Sequence, residues 1–311
     1  TPRRPALAHL VRVRMRVPPL LAPGARVALV SPAGPLRGEG DLVRAVENAR
    51  SFGWEPVVGA HARGRAGYFS GSDAERLADL NRALADDRID AVWCLRGGYG
   101  AMRLLDRLDY DALARRPKAV IGYSDITALH AAIGRRTGLV TFHGPTAREA
   151  LTPFSRDSLQ RALVQTGDPC GSARGARLIR RGTTVGRLAG GNLALLAALC
   201  GTPYFPDLDG ALLVLEDVGE AMYRVDRMLT QLRLSGRLEG VRGIIFGHCT
   251  DCPMSEDGDR PVDEVLAEVA DALEVPCVAG VPIGHIEQQW TLPLGLTAEL
   301  VDGAVHVLRD D

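Results

Sequence analysis

The stretch KAVIGYSDITALHAAIG, residues 118–134, joins a short apolar run to a longer amphipathic one through Gly122, Tyr123, Ser124 and Asp125. The first part has the length and β-branched content of a buried strand. The last part has the spacing of a helix, and no linker separates the two. The same order recurs upstream: ARVALVSP (25–32) precedes the helical pattern GEGDLVRAVENARSFG (38–53), and EPVVGA (55–60) precedes SDAERLADLNRALADD (72–87). IDAVWCLRGGYG (89–100) precedes MRLLDRLDYDALARR (102–116), read as one helix. Strands alternating with helices of this length predict an α/β fold with a parallel, doubly wound sheet whose ligands sit at the strands' carboxyl ends.

Downstream the pattern changes. Residues 166–186, TGDPCGSARGARLIRRGTTVG, are rich in Gly, Thr and Arg without apolar period and read as a linker. Beyond it, GNLALLAALCG, VDRMLTQLRLSGRL and DEVLAEVADALE read as helices, and ALLVLED, VRGIIFGH, PCVAGVPIGH and AELVDGAVHVL as strands. The expected organisation is an N-terminal extension over 1–21, an α/β domain over 22–165, the linker over 166–186 and a smaller β/α domain over 187–311.

Composition narrows the functional classes. At 46% apolar and 24% charged, the 311 residues form an ordinary globular chain. Leu193 to Cys200 is the longest apolar run, far below the ~20 residues of a membrane-spanning helix. Thirty-seven basic against 38 acidic residues leave a net charge of -1, so neither nucleic acid nor an anionic membrane is an expected partner. Arg3, Arg4, Arg12, Arg14 and Arg16 crowd the extension without an acid, and Met15 would serve as a natural start. The six cysteines lack a framework spacing, which suits a reducing cytoplasm.

A serine on a turn between a strand and a helix projects from the sheet edge, with the first helical amides available to a developing oxyanion. That makes Ser124 a candidate nucleophile, although a serine there is equally at home as a helix cap. In LRGGYG (95–100) the paired glycines permit close approach of backbone to ligand, and the Gly98 amide is a candidate oxyanion donor. The base is open among His143, His248 and His285, with His285 favoured by its position after an apolar strand. The orienting carboxylate is open between Glu216 and Asp217, since neighbours in a strand point to opposite faces. His248, Cys249 and Cys252 lack the second ligand pair of a zinc site, so no metal is expected. A substrate carboxylate would find donors at Gly97, Gly98 and Asn192, the last at a helix start where Asn also caps.

In order and wording, the segments VALVSPAGP, LRGGYG, IGYSD, AGGNLALLAALCGTP with LLVLEDVGEAMYRVDRMLTQL, and PIGHIEQQWTLPLG resemble the LD-carboxypeptidase family of serine peptidases, from about residue 24 to the C-terminus. The family includes muramoyl-tetrapeptide carboxypeptidases and microcin-immunity peptidases. The resemblance implies a flavodoxin-like first domain and a smaller, swivelling second one. It implies Ser124, Glu216 and His285 as the catalytic set and the Gly98 and Asp125 amides as the oxyanion hole. It further implies release of a terminal D-amino acid, D-Ala, from muropeptide tetrapeptides in cell-wall recycling, by a homodimer that needs no cofactor. The alternative within the family is an amidase acting on peptidyl or aminoacyl adenylates. Gln289 departs from the Asn that members often carry four residues after the histidine.

Overall fold

A computed structural model describes residues 15–253 and 260–308. The first half runs β1 (Arg26–Val30), α1 (Glu39–Ser51), β2 (Glu55–Val58), α2 (Asp73–Ala85), β3 (Ala91–Cys94), α3 (Tyr110–Arg115), β4 (Ala119–Gly122), α4 (Thr127–Thr137), β5 (Thr141–His143) and α5 (Pro153–Leu163). The second runs β6 (Arg177–Arg180), β7 (Thr183–Asn192), α6 (Leu193–Leu199), β8 (Ala211–Val218), α7 (Met222–Leu234), β9 (Gly243–Thr250), α8 (Val262–Leu273), β10 (Cys277–Ala279), β11 (Leu292–Leu294), β12 (Thr297–Val301) and β13 (Ala304–Val307).

Two sheets result. In the first, β2, β1, β3, β4 and β5 are parallel neighbours, and β3 and β4 are buried along their whole length by helices on both faces. The second has the order β13, β12, β7, β8, β9, β10, β6, parallel from β7 to β10 and antiparallel at both ends. The mixed α/β architecture agrees with the fold class read from the sequence. At the start of α2, Ser72 and Glu75 close a reciprocal capping box, an arrangement worth ~1 kcal/mol.

Three segments depart from the sequence reading. The helix expected over 102–116 is a 3-10 turn, Ala101–Arg107, followed by α3, because Asp109 accepts the Ala112 amide at 2.9 Å and opens a new helix. The expected linker contains β6 and the first residues of β7; β6 is an edge strand, open enough to water for Arg to occupy it. Of the expected N-terminal extension, residues 1–14 lie outside the described residues. Residues 15–21 are tied down at points, with the Arg16 amide bonded to the Gly138 carbonyl at 2.7 Å and with Pro18 and Leu21 buried.

The halves are joined where the site will be. Leu129 and Ile133 of α4 share one apolar core with Leu193 and Leu196 of α6. The Asn192 amide donates to Thr127 Oγ1 at 2.9 Å. After the segment bearing His285, the chain crosses back to add β11 antiparallel to β5, pairing Leu292 with His143 and Leu294 with Thr141. Among the described residues no helix is long and apolar enough to cross a membrane.

Candidate active site

Ser124 follows β4 through Gly122 and Tyr123 and opens the 3-10 turn that feeds α4. Its φ of +63° is a left-handed conformation that non-glycine residues rarely adopt, the kind of local strain held at functional turns. The turn is held from the side by Asp125, whose buried Oδ2 accepts the Ala101 amide at 2.8 Å and so ties the elbow to the LRGGYG loop. Burial pushes the Asp125 carboxyl up to about 6. On the other side Gly97 lies against the serine. A Cβ on Gly97 would meet Ser124 Cβ at 2.9 Å and Oγ at 3.2 Å, so only glycine lets this backbone cover the hydroxyl. The next residue, Gly98, is exposed at φ +104°, and its amide takes no hydrogen-bond partner among the described residues.

Glu216 and Asp217 end β8 and divide as neighbours in a strand must. The fully buried Glu216 accepts His285 Nδ1–H at 2.9 Å through Oε2, while Oε1 is buried without a partner. Asp217 faces away. It accepts the Asn192 side-chain amide and the Ala194 amide, each at 3.0 Å, at the start of α6. Burial pushes its carboxyl up to about 6.

His285 Nε2 lies 3.0 Å from Ser124 Oγ, and the Glu216 bond at Nδ1 leaves Nε2 free to accept the hydroxyl proton. Burial alone would depress the imidazole pKa. The hydrogen bond to Glu216 and the charges of Glu216, Glu149 and Asp217 overcome that, so the net shift is upward. A hydroxyl, an imidazole and a buried carboxylate in this chain can deliver an activated oxygen nucleophile.

The remaining histidines are elsewhere or inert. His143 is buried beside Tyr123 with both ring nitrogens unpartnered, and burial pushes it to about 3. His130 bonds the Gly122 carbonyl at 2.8 Å and is pushed by burial to about 4. His248 is half-buried near the end of β9; Cys249 and Cys252, beside it, form a disulfide. No group of three or more metal-ligating side chains occurs among the described residues.

Asn192, expected among the donors to a substrate carboxylate, is a cap instead: its Oδ1 accepts the Leu195 amide at 3.1 Å, its Nδ2 holds Asp217, and the residue is buried. Trp290, five residues after His285, is buried in an apolar core.

Several residues of the site carried no sequence signal, because the contacts that bring Glu149, Ser155 and Ser158 to the histidine segment span more than a hundred positions. Gln289 Nε2 donates to Glu149 Oε2 at 3.1 Å, and Thr146 donates to Glu149 Oε1 at 2.8 Å. Glu149 also meets the Tyr123 hydroxyl, and the Tyr123 ring lies 4.8 Å from the His285 ring. Ser155 bonds both the Glu287 carbonyl and the Gln289 amide, and Ser158 takes the Thr291 amide at 2.8 Å. These bonds dock the histidine segment onto α5. A wide cleft of about 1320 Å³, lined by His130, Arg187 and Leu296 among others, excludes all three residues of the Ser124, His285 and Glu216 chain.

Comparison with known proteins places this chain among relatives. Residues 27–144 match the LD-carboxypeptidase N-terminal domain and residues 185–300 the LD-carboxypeptidase C-terminal domain. A Streptomyces coelicolor protein named as a candidate carboxypeptidase is 44% identical over 303 residues, covering 91% of this chain and 92% of that one. The murein tetrapeptide carboxypeptidase of Pseudomonas aeruginosa is 36% identical over 294 residues, covering 88% and 92%. Among solved structures, a muramoyltetrapeptide carboxypeptidase from Oxalobacter formigenes superposes with a TM-score of 0.81 at 31% identity, covering 91% of this chain and 98% of that one. The microcin C7 self-immunity protein, solved in its apo state, reaches a TM-score of 0.86 at 27% identity, covering 94% and 98%. The immunity protein of that name from Escherichia coli is 30% identical over 313 residues, covering 89% and 90%.

Proposed function

We propose that this chain, which belongs to the LD-carboxypeptidase family and so is a carboxypeptidase hydrolase, works as a serine peptidase. Its substrate is a muropeptide tetrapeptide and its product the terminal D-amino acid, D-Ala, in cytoplasmic cell-wall recycling. The single observation that carries the reading is the unbroken chain from Ser124 Oγ to His285 Nε2 at 3.0 Å and from His285 Nδ1 to Glu216 at 2.9 Å.

In the proposed reaction His285 takes the Ser124 proton as Oγ attacks the carbonyl between an L-centre and the terminal D-residue. The Gly98 and Asp125 amides receive the oxyanion. His285 then protonates the leaving amine, and water, activated by the same imidazole, releases the acyl group from Ser124. Glu216 holds the tautomer and stabilises the imidazolium. Ser124→Ala should reduce tetrapeptide hydrolysis by about 10³-fold or more, the scale seen when one member of such a set is lost. Full activity in that variant, measured as D-Ala release, would refute the assignment.

A second reading rests on the structural likeness to the microcin self-immunity protein, which has been solved with glutamyl sulfamoyl guanosine. There the same three residues would cleave a peptidyl or aminoacyl adenylate. Parallel assays of D-Ala release from tetrapeptide and of amino-acid release from an acyl-sulfamoyl nucleoside separate the two. The curated murein peptide carboxypeptidases among the relatives favour the first.

A further inference from the structure

With Asn192 spent on capping α6, the loop amides at Gly97 and Gly98 are left as the expected donors to an anionic peptide, and neither carries a charge. Charged donors stand next to that loop. Arg96 immediately precedes Gly97, the residue that covers Ser124. The Gly34 amide bonds the Gly97 carbonyl at 2.9 Å, and a Cβ on Gly34 would lie 3.6 Å from the Arg96 guanidinium carbon. The guanidinium is fixed by the Pro35 carbonyl. Beside it, Arg65 bonds the Leu36 carbonyl at 2.8 Å, and Arg148 reaches Asp41 at 3.2 Å from the loop after β5. Arg37 belongs to the same group through the Asp41 carboxylate, which accepts its amide at 3.0 Å.

The charges do not balance. Among the described residues Asp41 is the one carboxylate ion-paired in this group; it is also 4.0 Å from Arg44, and its side chain is only 12% exposed. Arg96 and Arg65 are held by carbonyls, which fix a guanidinium without neutralising it. Arg148 Nε is buried with no partner. Burial, and then the like charges of Arg148 and Arg37, lower the Arg96 pKa, and the opposing charge of Asp41 offsets them only in part. A guanidinium offers five donors in a planar fork that matches a carboxylate, and Arg96, on the loop whose next residue covers the serine, spends only part of its fork on the Pro35 carbonyl.

We propose that Arg96 and Arg148, flanked by Arg37 and Arg65, form the seat for a carboxylate of the peptide substrate. The seat rests on the peptidase reading above and names the chemistry that reading requires: an acidic peptide with a free carboxylate near the cleaved bond. The carboxylate is either the terminal α-carboxylate or one on an internal residue.

The test uses the full chain and three peptides sharing one scissile bond: one with a free terminus, one with a terminal carboxamide, and one with a free terminus and its internal glutamate replaced by glutamine. Arg96→Gln and Arg148→Gln should each raise KM by about 10–100-fold for the free peptide, the scale of a charge-assisted hydrogen bond, with kcat changed far less. Arg96→Lys should recover only part of the loss, because it restores charge without the fork. The penalty should vanish with whichever neutral peptide lacks the seated carboxylate, which identifies its source. An equal penalty for all three peptides, or none, overturns the seat. Calorimetric titration of Ser124→Ala with the free and amidated peptides and the glutamine peptide separates the two readings. If the unmodified chain cleaves nothing yet Ser124→Ala still prefers one carboxylate, the peptidase reading falls and the seat stands. Equal binding of all three overturns the seat whatever the turnover.

Discussion

The serine elbow and the histidine segment reach the same point by opposite routes. Between Ala119 and Thr137 strand, strained turn and helix follow without a break, so Ser124 is positioned largely by its own neighbours, with the nearby 97–101 loop holding the turn from the side. The His285 loop is closed by short-range bonds, Trp290 to the Pro282 carbonyl and Ile286 to that of Gly284, but none of them aligns the imidazole with the serine. Its orienting carboxylate is 69 residues away, and the serines docking its segment are more than 130 away from the atoms they bind. The segment is then anchored by β11 in the other half's sheet. A nucleophile built locally can be formed early and held rigidly. A base built from distant contacts depends on the whole fold being assembled, and its alignment is the more vulnerable of the two.

The largest effect should come from the carboxylate pair. Glu216→Gln keeps the shape but loses the charge that fixes the tautomer, and kcat should fall by roughly 10³–10⁴-fold, as in the analogous triad substitution. Asp217→Asn should leave kcat within a few-fold. A large activity loss from Asp217→Asn would mean the two roles are exchanged. Next, Gly97→Ala forces atoms apart at Ser124 and should lower kcat by about 10²-fold, the scale of a 1 Å misplacement, with the melting temperature nearly unchanged. If the alanine chain is fully active, the loop does not bear on the serine.

The distant supports should cost less. Ser155→Ala removes hydrogen bonds to the Glu287 and Gln289 backbone and should lower kcat by about 10-fold with a stability loss near 1 kcal/mol. Thermal unfolding and turnover measured together check it; a stability loss without a kinetic one would show that the histidine segment keeps its place unaided.

The pH profile gives a subtler comparison. His285 must be neutral to accept the serine proton, and its pKa is raised, so kcat/KM should rise through an ionisation above the ordinary value of about 6.5 and be lost in acid. Besides Glu216, the acids bearing on it are Glu149 and Asp217, and the neighbouring rings are those of Tyr123 and buried His143. Glu149→Gln removes a negative charge that favours the imidazolium, so the limb should move to lower pH. A limb that stays in place assigns Glu149 a packing role alone. Smallest of all, Asn192→Ala should lower the melting temperature by about 2–4 °C for loss of a cap. A raised KM at unchanged stability would return Asn192 to the substrate.

Short-range pattern alone was enough for the alternating elements of the first sheet, for Ser124 at a turn between strand and helix, and for the division of Glu216 from Asp217 onto opposite faces. Each follows from backbone periodicity and steric limits acting over a few residues. The 3-10 turn at 101–107, the Arg-bearing edge strand β6 and the crossing of β11 escaped that reading. In each case a contact with a distant strand or a single competing cap outweighed local propensity. The same holds for Glu149, Tyr123, Ser155 and the arginines around Asp41. A carboxylate or guanidinium has no sequence period of its own, and its pairing depends on which loops the fold brings to one sheet edge. Whether Asn192 capped a helix or faced a ligand was likewise open until the ends of β7 and β8 lay side by side, with Asn192 in register with Glu216 and its side chain turned to Asp217.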